Sequence, residues 1–144
     1  MTSVARLCVC AVVFLFAVSC TGGNEACAEG DTVTTDSGLT YTEIACGDGT
    51  EVRRGDTILV HYTGTLEDGT EFDSSRGGEP LPIAIDSGNV IDGWVEGIPG
   101  MREGGRRELE IPSDLAYGEA GRPPTIPPGA TLFFDVEIVE VFED

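Results

Sequence analysis

The 144-residue chain has no lysine, a single histidine (His61), one tryptophan (Trp94) and only 7% aromatic residues. Its eight basic residues are all arginines, set against 26 Asp and Glu, for a net charge of −18. A surface that negative repels phosphate backbones and the anionic face of a bilayer, which excludes nucleic-acid binding. With one His and no CxxC pair there is no zinc-ligand spacing, so no metal centre is expected. Nucleophile-elbow, Walker-type, HExxH and EF-hand patterns are also missing, and no cofactor is expected. The carboxylates are scattered singly along turns and solvent faces, so no acid/base pair can be chosen among them.

Long hydrophobic runs are lacking too. The longest, Leu7 to Val18, has twelve residues, whereas a membrane span needs roughly 20. Placed just after Arg6, it suits the core of a secretory signal peptide covering residues 1–19. Ala17-Val18-Ser19-Cys20 resembles the lipobox of bacterial lipoproteins, with Ala17 where Leu is favoured, and makes Cys20 the expected lipidated N-terminus. Cleavage at Ala26-Cys27-Ala28 would release a soluble protein instead, but that site lies ten residues past the apolar run. The preferred reading is an exported protein of the cell envelope. Its only membrane attachment would be a lipid anchor, facing the periplasm or the cell exterior. The part from Cys20 onward loses Arg6 and is more negative still, which favours a monomer held away from acidic lipid.

Cys8 and Cys10 would leave with the signal, and Cys27 and Cys46 remain as one pair that an oxidising compartment could bridge. Such a bridge would contribute roughly 3 kcal/mol by restricting the unfolded chain; two unpaired thiols are the open alternative. Residues 20–36 have almost no large apolar side chain and read as a flexible acidic tether. The folded unit is then expected over 37–144. Within it, Leu39 to Ala45, Thr57 to Thr63, Glu71 to Ser74, Leu81 to Ile85, Arg106 to Ile111 and Thr131 to Phe142 read as strands. Only Val90 to Ile98 offers a helix, kept to about two turns by Gly93, Gly97 and Pro99. The fold class is α+β, a curved antiparallel sheet of five to six strands wrapped over one short helix.

Aromatic and aliphatic residues recur around polar punctuation in a particular order. His61-Tyr62-Thr63-Gly64 comes first, then Phe72-Asp73-Ser74-Ser75 and Val90-Ile91-Asp92-Gly93-Trp94. Ala116-Tyr117-Gly118 and Ile126-Pro127-Pro128-Gly129-Ala130-Thr131-Leu132-Phe133-Phe134-Asp135 complete the series. This series, over residues 37–143, resembles the FK506-binding (FKBP-type) peptidyl-prolyl cis–trans isomerases. The resemblance implies a catalytic set of Tyr62, Asp73, Trp94 and Tyr117, with Trp94 as the floor and Asp73 and Tyr117 at the mouth. It also implies substrate contacts from Phe72, Leu81, Val90, Ile91, Ile126 and Phe134, with 122–128 as a flap. Proline-containing polypeptides are the implied substrates and FK506-class macrolides a second ligand class. Leu81 stands where the family often has an aromatic, which argues against tight macrolide binding; Arg122 replaces a frequent His and bears on substrate preference. Without the family, Trp94, Phe72 and Phe134 could simply be core. The rival reading keeps the pocket for recognition alone, as a catalytically weak binding module or holdase chaperone.

Overall fold

A computed structural model describes residues 27–143. The expectations for residues 1–26, the signal peptide over 1–19 and lipidation at Cys20, lie outside the described residues. Among the described residues there are seven strands and one α-helix: β1 (Thr32–Thr34), β2 (Thr40–Ala45), β3 (Thr57–Leu66), β4 (Glu71–Ser74), β5 (Leu81–Ala84), α1 (Asp92–Gly97), β6 (Arg106–Ile111) and β7 (Leu132–Phe142). They form one sheet in the order β1-β2-β6-β7-β3-β4, with β5 also lying on β3. Every pairing is antiparallel. This is the expected α+β class, a sheet covering one short helix, with seven strands where five to six were expected; β1 is the addition.

Alternation along the strands decides what is buried. Leu132, Phe134, Val136 and Ile138 of β7, Leu109 and Ile111 of β6, and Ile58 and Val60 of β3 turn inward. Trp94 and Ile98, on and just past α1, meet them there. Each such side chain contributes about 1.5–3 kcal/mol on burial. The helix can lie close to β6 because position 93 is glycine: a Cβ there would fall 2.4 Å from Ile111 Cγ2. The same alternation turns Arg107 inward. Its guanidinium is buried, donates to Glu43 and to the Gly97 carbonyl (2.6 Å), and stacks 4.3 Å over the Tyr41 ring. Burial of such a charge is tolerable only with a partner of this kind.

Two sequence expectations change. The helix is shorter than 90–98, because Ile91, directly before Asp92, is extended (φ −64°, ψ 151°) and Val90 lies in a bend. The tether over 20–36 is corrected in its second half. Cys27 is disulfide-bonded to Cys46, Gly30 N–H donates to Glu43 C=O at 2.7 Å, and β1 pairs with β2. The folded unit therefore begins by Cys27 and not at residue 37. All three β1 side chains are exposed, so this edge strand forms through backbone bonds and the Thr32–Thr42 and Thr34–Thr40 hydroxyl pairs (2.9 and 3.0 Å). Nothing in that arrangement needs apolar residues, the signal on which the tether reading relied.

Candidate active site

The inner faces of β3, β4 and β7, the start of α1 and two loops meet around a cleft of about 960 Å³. Trp94 is buried at its base and packs edge-on against Tyr62 (centroids 5.2 Å, interplanar angle 81°) and Phe134 (5.3 Å, 86°). Phe72 meets Phe134 in the same way (5.5 Å, 88°). Edge-to-face packing of this kind locks ring orientations. Gly64 makes room for two of the rings: a Cβ there would lie 2.6 Å from Phe72 and 2.9 Å from Phe134. The indole Nε1–H of Trp94 is buried without a conventional acceptor, and two aromatic rings are its neighbours.

Polar groups stand at the mouth. Tyr62 Oη–H donates to Asp73 Oδ2 at 2.5 Å, and Asp73 Oδ1 accepts from the Ser74 amide at 2.9 Å. Burial pushes the Tyr62 phenol well above its ordinary range, helped by the bond to Asp73, by the charge of Asp73 and by Tyr117. Tyr62 is therefore a neutral donor at every physiological pH. Tyr117, half-buried between two short 3₁₀ turns, lines the cleft, and its hydroxyl makes no hydrogen bond among the described residues. On the opposite face, next to Phe134, burial pushes the Asp135 carboxyl up, but Arg106 and then Arg76 more than offset this and hold it below the usual carboxylate range. Arg106 and Arg76 both bond to it, tying the turn after β4 to the middle of the sheet.

The structure brings together nine of the ten residues expected at the site. Tyr62, Phe72, Asp73, Leu81, Val90, Ile91, Trp94, Tyr117 and Phe134 line one cleft. Ile126 does not line it. Its side chain is in the core, and its backbone exchanges two hydrogen bonds with Arg122 (2.8 and 2.9 Å). It thus anchors the loop that presents Arg122 to the cleft. Cys27 and Cys46 are bonded, away from the cleft. Sequence reasoning missed the rim made by Ser87, Gly88 and Asn89. Its signal was the Asp86-Ser87-Gly88-Asn89 turn composition; Asp86 (φ 68°) and Gly88 (φ 77°) both take left-handed backbone there.

A ring-lined, open hollow on a helix-backed antiparallel sheet is the kind of concave site that can hold a compact apolar group. A model of the FKBP-type peptidyl-prolyl cis-trans isomerase family matches residues 48–139. An FK506-binding protein of Neisseria meningitidis serogroup B is 50% identical over 107 residues, 74% of this chain and 98% of the relative. Human peptidyl-prolyl cis-trans isomerase FKBP2 is 54% identical over 90 residues, 62% of this chain and 63% of the relative's length. The crystal structure of AtFKBP13 superposes with a TM-score of 0.71 at 40% identity, over 76% of this chain and 98% of that one. The chain belongs to the FKBP-type peptidyl-prolyl cis–trans isomerases.

Proposed function

We propose that this isomerase works on exported proteins in the cell envelope, from a lipid anchor at Cys20, and accelerates X-Pro rotation by desolvation in the Trp94 cleft. The signal-like N-terminus and the Cys27–Cys46 bond, which persists in oxidising compartments, support the location. Among the described residues no helix is long and apolar enough to cross a membrane. Attachment would then rest on lipid at Cys20.

The mechanism follows from the amide. Rotation costs about 18–20 kcal/mol because resonance is broken at the twisted state, while cis and trans X-Pro forms differ by only about 0.5–1 kcal/mol. The reaction is limited by rate. The planar amide carries a dipole of about 3.5 D, and twisting reduces its charge separation. An apolar cleft therefore favours the twisted form over the planar one. Trp94, Phe72 and Phe134 accept the proline ring and exclude water. Tyr117 holds a substrate carbonyl with its unpartnered hydroxyl, and Asp73 orients the Tyr62 phenol. Leu81, exposed at the rim, offers a macrolide less contact area than an aromatic would, so FK506-class ligands bind weakly.

The observation that carries this reading is the edge-on cage of Tyr62 and Phe134 around Trp94 at the base of an open cleft. A proline-isomer-coupled assay of the chain from Cys20 on a short X-Pro peptide tests it. Trp94→Ala should lower kcat/KM at least tenfold, about 1.4 kcal/mol, with Trp94→Leu as the better-folding control. Unchanged turnover in either variant, with native circular dichroism, would remove Trp94 from the mechanism. Intact mass of the native protein decides between diacylated Cys20 and a free terminus.

A further inference from the structure

The cleft described above is apolar at its base, but acidic groups outnumber basic ones around it. Of the seven arginines in the described residues, Arg76, Arg102, Arg106 and Arg107 are held in ion pairs with carboxylates. None of these four lines the cleft; Arg122 alone among the arginines does. The acidic groups are distributed otherwise. Asp73 and Asp92 line the cleft. Exposed Glu79, Asp86, Asp114 and Glu119 each stand within two residues of a lining position, on the three segments that frame the mouth. None of these four makes a side-chain hydrogen bond or ion pair among the described residues, so their charge acts outward, into solvent. The chain as a whole carries −18 and adds to that field.

Resting on the isomerase reading, we infer that the preferred substrates are cationic: polypeptides with Lys or Arg within a few residues of the proline. An apolar site buries the proline ring and gives no discrimination among flanking charges. The rim does, because a charged chain approaching a cleft of opposite sign is attracted over about a Debye length, roughly 10 Å at 0.1 M salt. Clefts walled by one sign of charge raise encounter rates by about 10–1,000-fold at low ionic strength. Among the cleft-lining residues an acidic flank meets Arg122 as its one counter-ion, and the acidic rim repels it. The chemistry at the amide is unaffected, so the preference lies in kcat/KM and not in the rate for bound substrate.

The test uses otherwise identical X-Pro peptides with Lys, Gln or Glu two residues before the proline. At low salt kcat/KM for the Lys peptide should exceed that for the Glu peptide about tenfold. The ratio should fall below about twofold at 1 M salt, where the Debye length is about 3 Å. A Glu79→Gln, Asp86→Asn, Asp114→Asn, Glu119→Gln variant should lose most of the ratio while turning over the Gln peptide as before; Asn suits the left-handed backbone at position 86. Equal turnover of Lys and Glu peptides at low salt would overturn the inference, as would a ratio that survives 1 M salt or survives the four substitutions. No acceleration of any of the three peptides, the neutral one included, would instead sink the isomerase mechanism itself.

Discussion

The sheet ends in β1 on one side and in β4, with β5 beside it on β3, on the other, and the two ends are held together by different physics. At the β1 end the contacts are polar and covalent: threonine hydroxyl pairs, the Cys27–Cys46 bond, and the buried Glu43–Arg107 pair beneath Tyr41. At the β4 end they are aromatic and steric: Phe72 on Phe134, Phe134 on Trp94, and a glycine where any side chain would collide. The first end closes its gaps with directional bonds. The second keeps a hollow open, because rigid rings set edge-on cannot collapse into it. Polar and covalent locking concentrates at one end and the open cleft at the other, a division that substitution can break.

The largest effect should come from Glu43→Ala. It leaves the Arg107 guanidinium buried without its carboxylate, which costs about 3–5 kcal/mol. Denaturant unfolding should show that loss, while kcat/KM per folded molecule stays within twofold of wild type. Replacing both Glu43 and Arg107 by Leu should cost far less, since no charge is then stranded. A loss below 1 kcal/mol in the single variant, or a matching fall in turnover, would erase the distinction between the ends.

Gly64→Ala probes the other end. The added methyl meets Phe72 and Phe134 inside 3.0 Å, and one ring must move. Overpacking of this kind costs about 1–3 kcal/mol. Because the rings are the cleft wall, kcat/KM should fall about tenfold, a larger relative change than the stability loss alone produces. Stability and activity measured on the same preparation separate the two. Normal turnover alongside a 2 kcal/mol destabilisation would show that ring placement does not govern the reaction.

The same division explains what could be read from the sequence. The β4 end was legible through the ordered series of motifs that resembles the FKBP-type family: residue type alone marks Tyr62, Phe72, Trp94 and Phe134 as large and apolar and does not tell core from cleft wall. The β1 strand was not legible, since Thr32, Val33 and Thr34 are exposed and held by backbone bonds that leave no mark on composition. The place of Ile126 was not legible for a related reason. Its apolar character said that it would be buried, but whether against the core or around the hollow depends on the Arg122–Ile126 backbone bonds. The Ser87–Asn89 rim depends on a left-handed Asp86, a local choice that the sequence permits without dictating.

The smallest effect should be that of Tyr62→Phe, where the two kinds of contact meet: an aromatic ring in the cage and a hydroxyl bonded to Asp73. The ring survives the substitution, so kcat/KM should fall only about two- to threefold and stability by about 1 kcal/mol, the worth of one hydrogen bond. The pH dependence is more specific. Burial, then Asp73, raise the phenol in the folded state above its unfolded value of about 10. A group raised in this sense contributes stability that is complete below pH 10 and is lost as the pH climbs toward the folded value, because the unfolded phenol ionises first. The stability advantage of wild type over Tyr62→Phe should thus be flat between pH 6 and 9 and shrink above pH 10, with Tyr41 and Tyr117 common to both. An advantage that grows with alkalinity would mean that the phenol ionises more readily folded than unfolded, and the Tyr62–Asp73 bond could not then be the neutral donor contact on which the mouth of the cleft is built.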